Sequence, residues 1–198
     1  MMPVDAGDKP RGGRGRMVRC CALALLAVVV ALGISVLTVW LIIRPATLTY
    51  SLESASAQRF GLKHDRLNSS FDFVMRADNP NKRVSVYYDT LEVSVSFEGH
   101  TIAWGTISGF FQPQRNETEI RMQAGGEGVW VQDGTGRDLR LEKRSGQVEL
   151  EVNVRGKVQF KVGKWKSRNY KLRVSCMSTV PVVASKAFQG SECNVDIC

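Results

Sequence analysis

Residues 148–162 read VELEVNVRGKVQFKV. Val148, Leu150, Val152 and Val154 alternate with Glu149, Glu151 and Asn153, and Val158, Phe160 and Val162 alternate with Gln159 and Lys161. A hydrophobic period of two, filled with β-branched and aromatic residues, is the pattern of a strand with one buried face. Arg155-Gly156 between the two runs reads as the tight turn of a hairpin. The same period returns at Phe71, Phe73 and Met75, at Leu91, Val93, Val95 and Phe97, and at Tyr170, Leu172, Val174 and Cys176. Weaker alternation covers residues 47–52, 84–88, 100–107 and 117–124. Short strands punctuated by Gly, Asn and Pro predict an all-β fold, an antiparallel β-sandwich with one wet face per sheet. One short helix fits between residues 125 and 144, where Val129, Val131, Leu139 and Leu141 are sparsely spaced.

The pattern changes near the N-terminus. From Cys20 to Ile43 no residue is charged and 21 of 24 are apolar, the exceptions being Gly33, Ser35 and Thr38. As a helix this run is about 36 Å long, more than the roughly 30 Å hydrocarbon core of a bilayer. A cleaved signal peptide has a shorter apolar core with a small-x-small site directly behind it, whereas here Arg44 and Pro45 close the run. Residues 20–43 therefore read as a transmembrane signal anchor. Lys9, Arg11, Arg14, Arg16 and Arg19 outnumber Asp5 and Asp8 before it, which places residues 1–19 in the cytosol as a disordered basic tail. The Arg11–Arg16 cluster lacks an aromatic for base stacking, so no nucleic-acid partner is expected; anionic lipid headgroups suit it better. Cys20 and Cys21, at the cytosolic boundary, are palmitoylation candidates. Residues 44–198 are then extracytoplasmic. The sequons at Asn68 and Asn116 are glycosylation candidates in that compartment.

Catalysis needs a nucleophile, a base or a metal in matching geometry, and little is on offer. His64 and His100 are the two histidines, in unrelated contexts without neighbouring ligands, and read as surface or turn residues. Gly105-Thr106-Ile107-Ser108-Gly109 and Asp133-Gly134-Thr135-Gly136 resemble nucleophile motifs only loosely and read as turns. No enzyme, cofactor or metal is expected. From Arg155 to Arg173 the chain carries Arg155, Lys157, Lys161, Lys164, Lys166, Arg168, Lys171 and Arg173 and no acid. On adjacent strands, Lys157, Lys161, Lys171 and Arg173 are expected on the wet side, either as a solvated strand face or as a polyanion-binding surface. Cys176, Cys193 and Cys198 lie in the oxidising compartment and allow three single-bridge pairings.

The run Asn79-Pro80-Asn81, followed after two basic residues by a strand ending in Tyr87-Tyr88-Asp89, resembles the signature of the plant late embryogenesis abundant group 2 family. The likeness is to its membrane-anchored harpin-induced and non-race-specific disease resistance-like branch. Gly109-Phe110-Phe111-Gln112, the stretch at residues 158–167 and the stretch at residues 170–176 match in the same order. The resemblance implies a fibronectin type III-like sandwich outside the plasma membrane, with a single-pass type II anchor. It implies a role in plant defence, stress response and contact between membrane and wall, and no reaction; the basic run adds wall polysaccharide, anionic lipid or a defence-signalling protein as the expected partner. The resemblance also points to Cys176–Cys193 as the disulfide, with Cys193–Cys198 the main alternative; Cys198, if unpaired, is available for oligomerisation. The alternative function is a lipid or apolar small-molecule carrier, which requires an apolar groove.

Overall fold

The computed structural model describes residues 13–43, 46–182 and 187–198. In chain order the elements are α1 (Gly13–Ile43), β1 (Thr49–Lys63), β2 (Arg66–Asn79), β3 (Val84–Tyr88), β4 (Leu91–Phe97), β5 (His100–Ile107), β6 (Phe110–Gln112), β7 (Asn116–Trp130), α2 (Asp133–Ser145), β8 (Gln147–Val162), β9 (Trp165–Lys166), β10 (Tyr170–Pro181), β11 (Ser191–Glu192) and β12 (Asn194–Ile197). The chain divides into two units, one holding α1 and the other every strand.

Helix α1 starts at Gly13, so it takes in the end of the tail expected to be disordered; Lys9 and Arg11 lie outside the described residues. Its segment Val18–Thr38 has a mean hydropathy of 2.8 and none of it is buried within the protein. By length and composition it is able to cross a membrane. An apolar helix with no covering protein surface is stable when lipid covers it.

In the second unit the pairings are antiparallel, which is the all-β class expected. The ladder runs β11-β1-β2-β7-β5-β4-β8-β10-β12, with β3 on β8 and β6 on β3, and β9 also on β8. It is continuous in hydrogen bonding rather than split into two sheets. Its narrowest link is a single register pair, Trp104 with Gly125, between β5 and β7. There the strands cross so closely that a Cβ on Gly105 would meet the Gln123 carbonyl oxygen at 1.9 Å, and one on Gly126 the Ile102 oxygen at 2.1 Å. Glycine is what lets the ladder bend around its core. Phe71, Phe73, Met75, Val95, Phe97, Met122, Leu150, Val152, Leu172 and Val174 all point into that core and are essentially inaccessible.

The C-terminal segment closes the ladder. β11 pairs with β1, β12 pairs with β10, and between them Cys193 N donates to the Tyr50 carbonyl at 3.0 Å. Cys193 is disulfide-bonded to Cys176 of β10. One short segment thus covers the two strand edges that would otherwise present free N–H and C=O groups.

The hairpin expected at Arg155-Gly156 is absent, because β8 runs unbroken through it. A two-residue hairpin pairs the residues flanking the turn, so Val154 would face with Lys157 and the strand beyond would bury Lys157, Gln159 and Lys161. The actual parity keeps Val154, Gly156 and Val158 on one face. Gly156 is there because a Cβ would lie 2.3 Å from the Leu91 side chain. The two supposed motif turns are also corrected: Gly105 to Ile107 belong to β5, and Asp133 to Gly136 open α2. α2 overlaps the stretch at residues 125–144 expected to fit a short helix, but residues 125–130 belong to β7 and the helix runs on to Ser145.

Candidate functional site

The Asn-Pro-Asn run forms a buried amide cluster. Asn79, wholly inaccessible, donates from Nδ2 to the carbonyls of Val84 (2.9 Å) and Pro113 (2.8 Å), while its Oδ1 accepts from Asn81 N (3.2 Å) and Asn81 Nδ2 (3.0 Å). Asn81 in turn grips the backbone of Ala46 at both polar atoms, accepting from its N at 2.7 Å and donating to its O at 2.9 Å. Pro80 offers no N–H and fixes φ, so the turn competes with none of these bonds. Two side chains therefore tie the start of the β unit, the turn before β3 and the loop before β7 into one knot.

Tyr88 continues that knot inward. Its hydroxyl donates to Gln112 Oε1 at 2.9 Å and lies 2.7 Å from the Tyr50 hydroxyl, which is left as the donor in that pair. Gln112 Nε2 then donates to the carbonyls of Ala77 (2.8 Å) and Asn116 (2.9 Å). Burial pushes the Tyr88 phenol up to about 12, with the Tyr50 hydrogen bond pulling the other way. Burial, with Tyr88 adding to it, pushes Tyr50 higher still. Tyr87 faces outward against Phe111, ring centroids 4.6 Å apart, and Asp89 Oδ1 accepts from Thr90 N at 2.9 Å. The motif residues are thus structural fasteners.

The relay gives two checkable results. Tyr88→Phe leaves both the Tyr50 donor and the Gln112 acceptor unpaired, whereas Tyr50→Phe removes one bond and leaves Tyr88 satisfied. Tyr88→Phe should cost about 2–4 kcal/mol in denaturant unfolding and Tyr50→Phe about 1 kcal/mol. Because both folded-state values lie above the unfolded 10, the folded protein keeps protons that the unfolded chain loses. Stability is fully present below pH 10 and falls as pH rises through the window up to about 12, by up to about 1.4 kcal/mol per pH unit per tyrosine. Tyr50→Phe should make that fall shallower.

The basic run divides in space. Lys171 lies directly opposite Lys157, and Arg173 opposite Arg155, so four exposed cations form a two-by-two block on β8 and β10. Lys161 shares the face of β8 with Lys157 but lies past the end of the pairing with β10, so Arg155 rather than Lys161 completes the paired block. Lys161 and Lys166 stand over the Tyr87 ring, 5.8 and 3.9 Å from its centroid, and Arg168 over Tyr170 at 5.5 Å. Lys164 is exposed at the β8–β9 turn beside Trp165, itself 63% exposed. Nor is the block free of acids in space, since Glu92 is opposite Arg155 and Asp196 opposite Arg173 in register. The ion pairs among the described residues join Arg76 to Glu53 and Glu117, Arg121 to Glu119 and Arg140 to Asp65, and none reaches the block. Like charges directly opposite destabilise a sheet; Glu92 and Asp196 offset this at Arg155 and Arg173, and the Lys157–Lys171 pair carries the larger cost.

Asn68 is exposed on β2, its Oδ1 accepting from Gly128 N at 2.7 Å; Asn116 is half-buried at the start of β7, its Oδ1 accepting from Thr118 Oγ1 at 2.9 Å. In both, Nδ2, the atom a glycan takes, has no hydrogen bond among the described residues. Cys20 and Cys21 are exposed on α1, and Cys198 is an exposed free thiol. His64 sits in the β1–β2 turn and His100 at the start of β5, both exposed. Among the described residues no three His, Cys, Asp or Glu side chains are grouped to hold a metal.

Comparison with known proteins fits this geometry. A family model described as late embryogenesis abundant protein matches residues 74–176, from β2 to the disulfide cysteine of β10. An uncharacterized protein of Arabidopsis thaliana is 34% identical over 90% of this chain and 82% of its own. NDR1/HIN1-like protein 10 of the same plant is 32% identical over 84% of this chain and 77% of its own. NDR1/HIN1-like protein 3 is 32% identical over 87% and 78% respectively.

Proposed function

Because the chain belongs to the late embryogenesis abundant protein family, in its NDR1/HIN1-like branch, we propose that it is a non-enzymatic surface protein of plant defence and stress response whose β unit binds acidic wall polymer. α1 anchors it in the plasma membrane with its N-terminus in the cytosol and Cys20 and Cys21 open to palmitoylation. Residues 44–198 stand outside, carrying glycans at Asn68 and Asn116. The observation that supports polyanion binding is the block of Arg155, Lys157, Lys171 and Arg173. Among the described residues its cations make no ion pair, and each faces a like charge across β8 and β10, an arrangement that a polyanion relieves. The alternative of an apolar carrier finds less support, because the surface depressions described are lined largely by polar side chains.

The test has two arms. In sealed vesicles, residues 44–198 should resist protease added from the cytosolic side, and glycosidase should shift the mobility of the chain; cytosolic digestion without a shift reverses the orientation. The purified protein in nanodiscs of uncharged lipid should be retained on polygalacturonate and released as salt rises. Retention that is absent at low salt defeats the polyanion reading.

A further inference from the structure

The outer face of β5, β4 and β8 carries a second feature, independent of the cationic block except where the two meet at Arg155. An open depression of about 590 Å³ lies there, with Trp104 at one side. The indole is 58% exposed and stacks on no other ring among the described residues. Register places Trp104 opposite Ser94, and Ser94 opposite Asn153. Neighbouring strands are about 4.8 Å apart, so ring, hydroxyl and amide fall in a line about 10 Å long. The next row sets Thr106 beside Glu92.

The chemistry of the lining is specific. Ser94, Asn153 and Thr106 make no side-chain hydrogen bond among the described residues, so their donors and acceptors are free. Of the two carboxylates in the depression, Glu151 accepts one bond from Ser175 Oγ at 3.1 Å and keeps further acceptor capacity, and Glu92 has none. A large exposed indole beside short side chains leaves the face of the ring open. That face carries a negative quadrupole, which attracts the weakly positive C–H groups on the apolar side of a pyranose ring. Carboxylate, amide and hydroxyl groups set around it match the sugar hydroxyls, each of which donates and accepts. With Glu92, Glu151 and Arg155 in the lining, the charged side chains leave one net negative charge, which disfavours an acidic sugar.

We infer that this depression is a binding site for an uncharged oligosaccharide, with Trp104 as the stacking platform and Ser94, Asn153, Thr106 and Glu92 as hydrogen-bonding partners. The inference does not depend on the polyanion reading, since its ligand is neutral and its platform lies outside the cationic block. Such a ligand adds a second, salt-insensitive foothold on the same sheet face.

The probes are cellohexaose, xylohexaose and mannohexaose, titrated against the full chain in nanodiscs at about 0.5 M salt, where the Debye length falls to only a few ångströms and polyanion attraction is suppressed. At least one should bind and quench tryptophan emission. Trp104→Ala should weaken that binding by about tenfold or more, and Trp104→Phe by less, because a smaller flat ring remains. Near-UV circular dichroism confirms that each variant is folded. A variant with Gln at Lys157, Lys171 and Arg173, which lie outside the depression, should bind these sugars within about threefold of the parent. The inference is overturned if no neutral hexaose binds at millimolar concentration, or if Trp104→Ala binds as tightly as the parent. Binding confined to acidic oligomers and lost in salt would also overturn it, while leaving the proposed polyanion function standing.

Discussion

Replacing Asn79 by Ala should lower the unfolding free energy of the β unit by about 3–5 kcal/mol, the large end of what single substitutions do. The side chain makes four hydrogen bonds in a site that water does not reach. Removing it orphans the buried carbonyl of Val84 and the buried N–H of Asn81, takes a donor from the part-buried carbonyl of Pro113, and removes the acceptor that orients the Asn81 side chain. A buried polar group left without a partner costs about 1–3 kcal/mol, and two are created at once. The damage then spreads, because Asn81 holds Ala46 at both backbone atoms. Asn79→Asp is the sharper control: it keeps the acceptor toward Asn81, loses both donations, and buries a carboxylate among carbonyl oxygens. It should be at least as destabilised at neutral pH and recover part of the loss in acid, where the protonated carboxyl donates again. Denaturant unfolding of the full chain in detergent, followed by near-UV circular dichroism, reads both variants. A loss below about 1 kcal/mol for Asn79→Ala would show that water enters and replaces the amide.

The effect illustrates what the sequence carries plainly and what it does not. Inward faces were legible because alternation at Phe71 to Met75, Leu91 to Phe97 and Leu172 to Cys176 is a local property, and those residues are buried. The motif at Asn79 to Asp89 was visible as a resemblance, yet nothing local says that Gln112, distant in sequence, closes the Tyr50–Tyr88 relay. Strand ends were misjudged at some of the glycines inside strands, though not at Gly105, where residues 100–107 match β5. At Gly126 and Gly156 the residue answers to a neighbour's backbone or side chain, which only tertiary structure supplies. The parity of Val154 and Val158 did carry the correction, and attention to which face Lys157 would occupy excludes the turn. For the cationic face, linear spacing gave the charges but not the register. Arg155 and Lys161 are equally basic in sequence; pairing with β10 brings the first into the block, while the second lies past the end of that pairing, beside the Tyr87 ring.

Reversing that block by Arg155→Glu, Lys157→Glu, Lys171→Glu and Arg173→Glu should abolish binding to polygalacturonate. A cation close to an anionic surface contributes about 1 kcal/mol, so loss of four amounts to about 4 kcal/mol, or on the order of a thousandfold in affinity, before any repulsion from the new carboxylates. The fold should persist, since Val154, Val158, Leu172 and Val174 on the other face of the same strands are untouched. Glu in place of all four retains the like-charge pairs across β8 and β10 and sets two more against Glu92 and Asp196, so stability should fall by a few tenths to about 1 kcal/mol per new pair. The double variant Lys157→Gln, Lys171→Gln removes one like-charge pair, keeps Arg155 opposite Glu92 and Arg173 opposite Asp196, and should gain a few tenths to about 1 kcal/mol while still losing affinity. This opposition, tighter folding with weaker binding, separates a surface kept cationic for a ligand from one kept charged only to stay soluble. The parent should show affinity falling steadily with salt, and the reversed variant should show no salt dependence. Equal binding by a well-folded reversed variant would return the block to a solvated strand face and move the search for the polymer site elsewhere on the sheet.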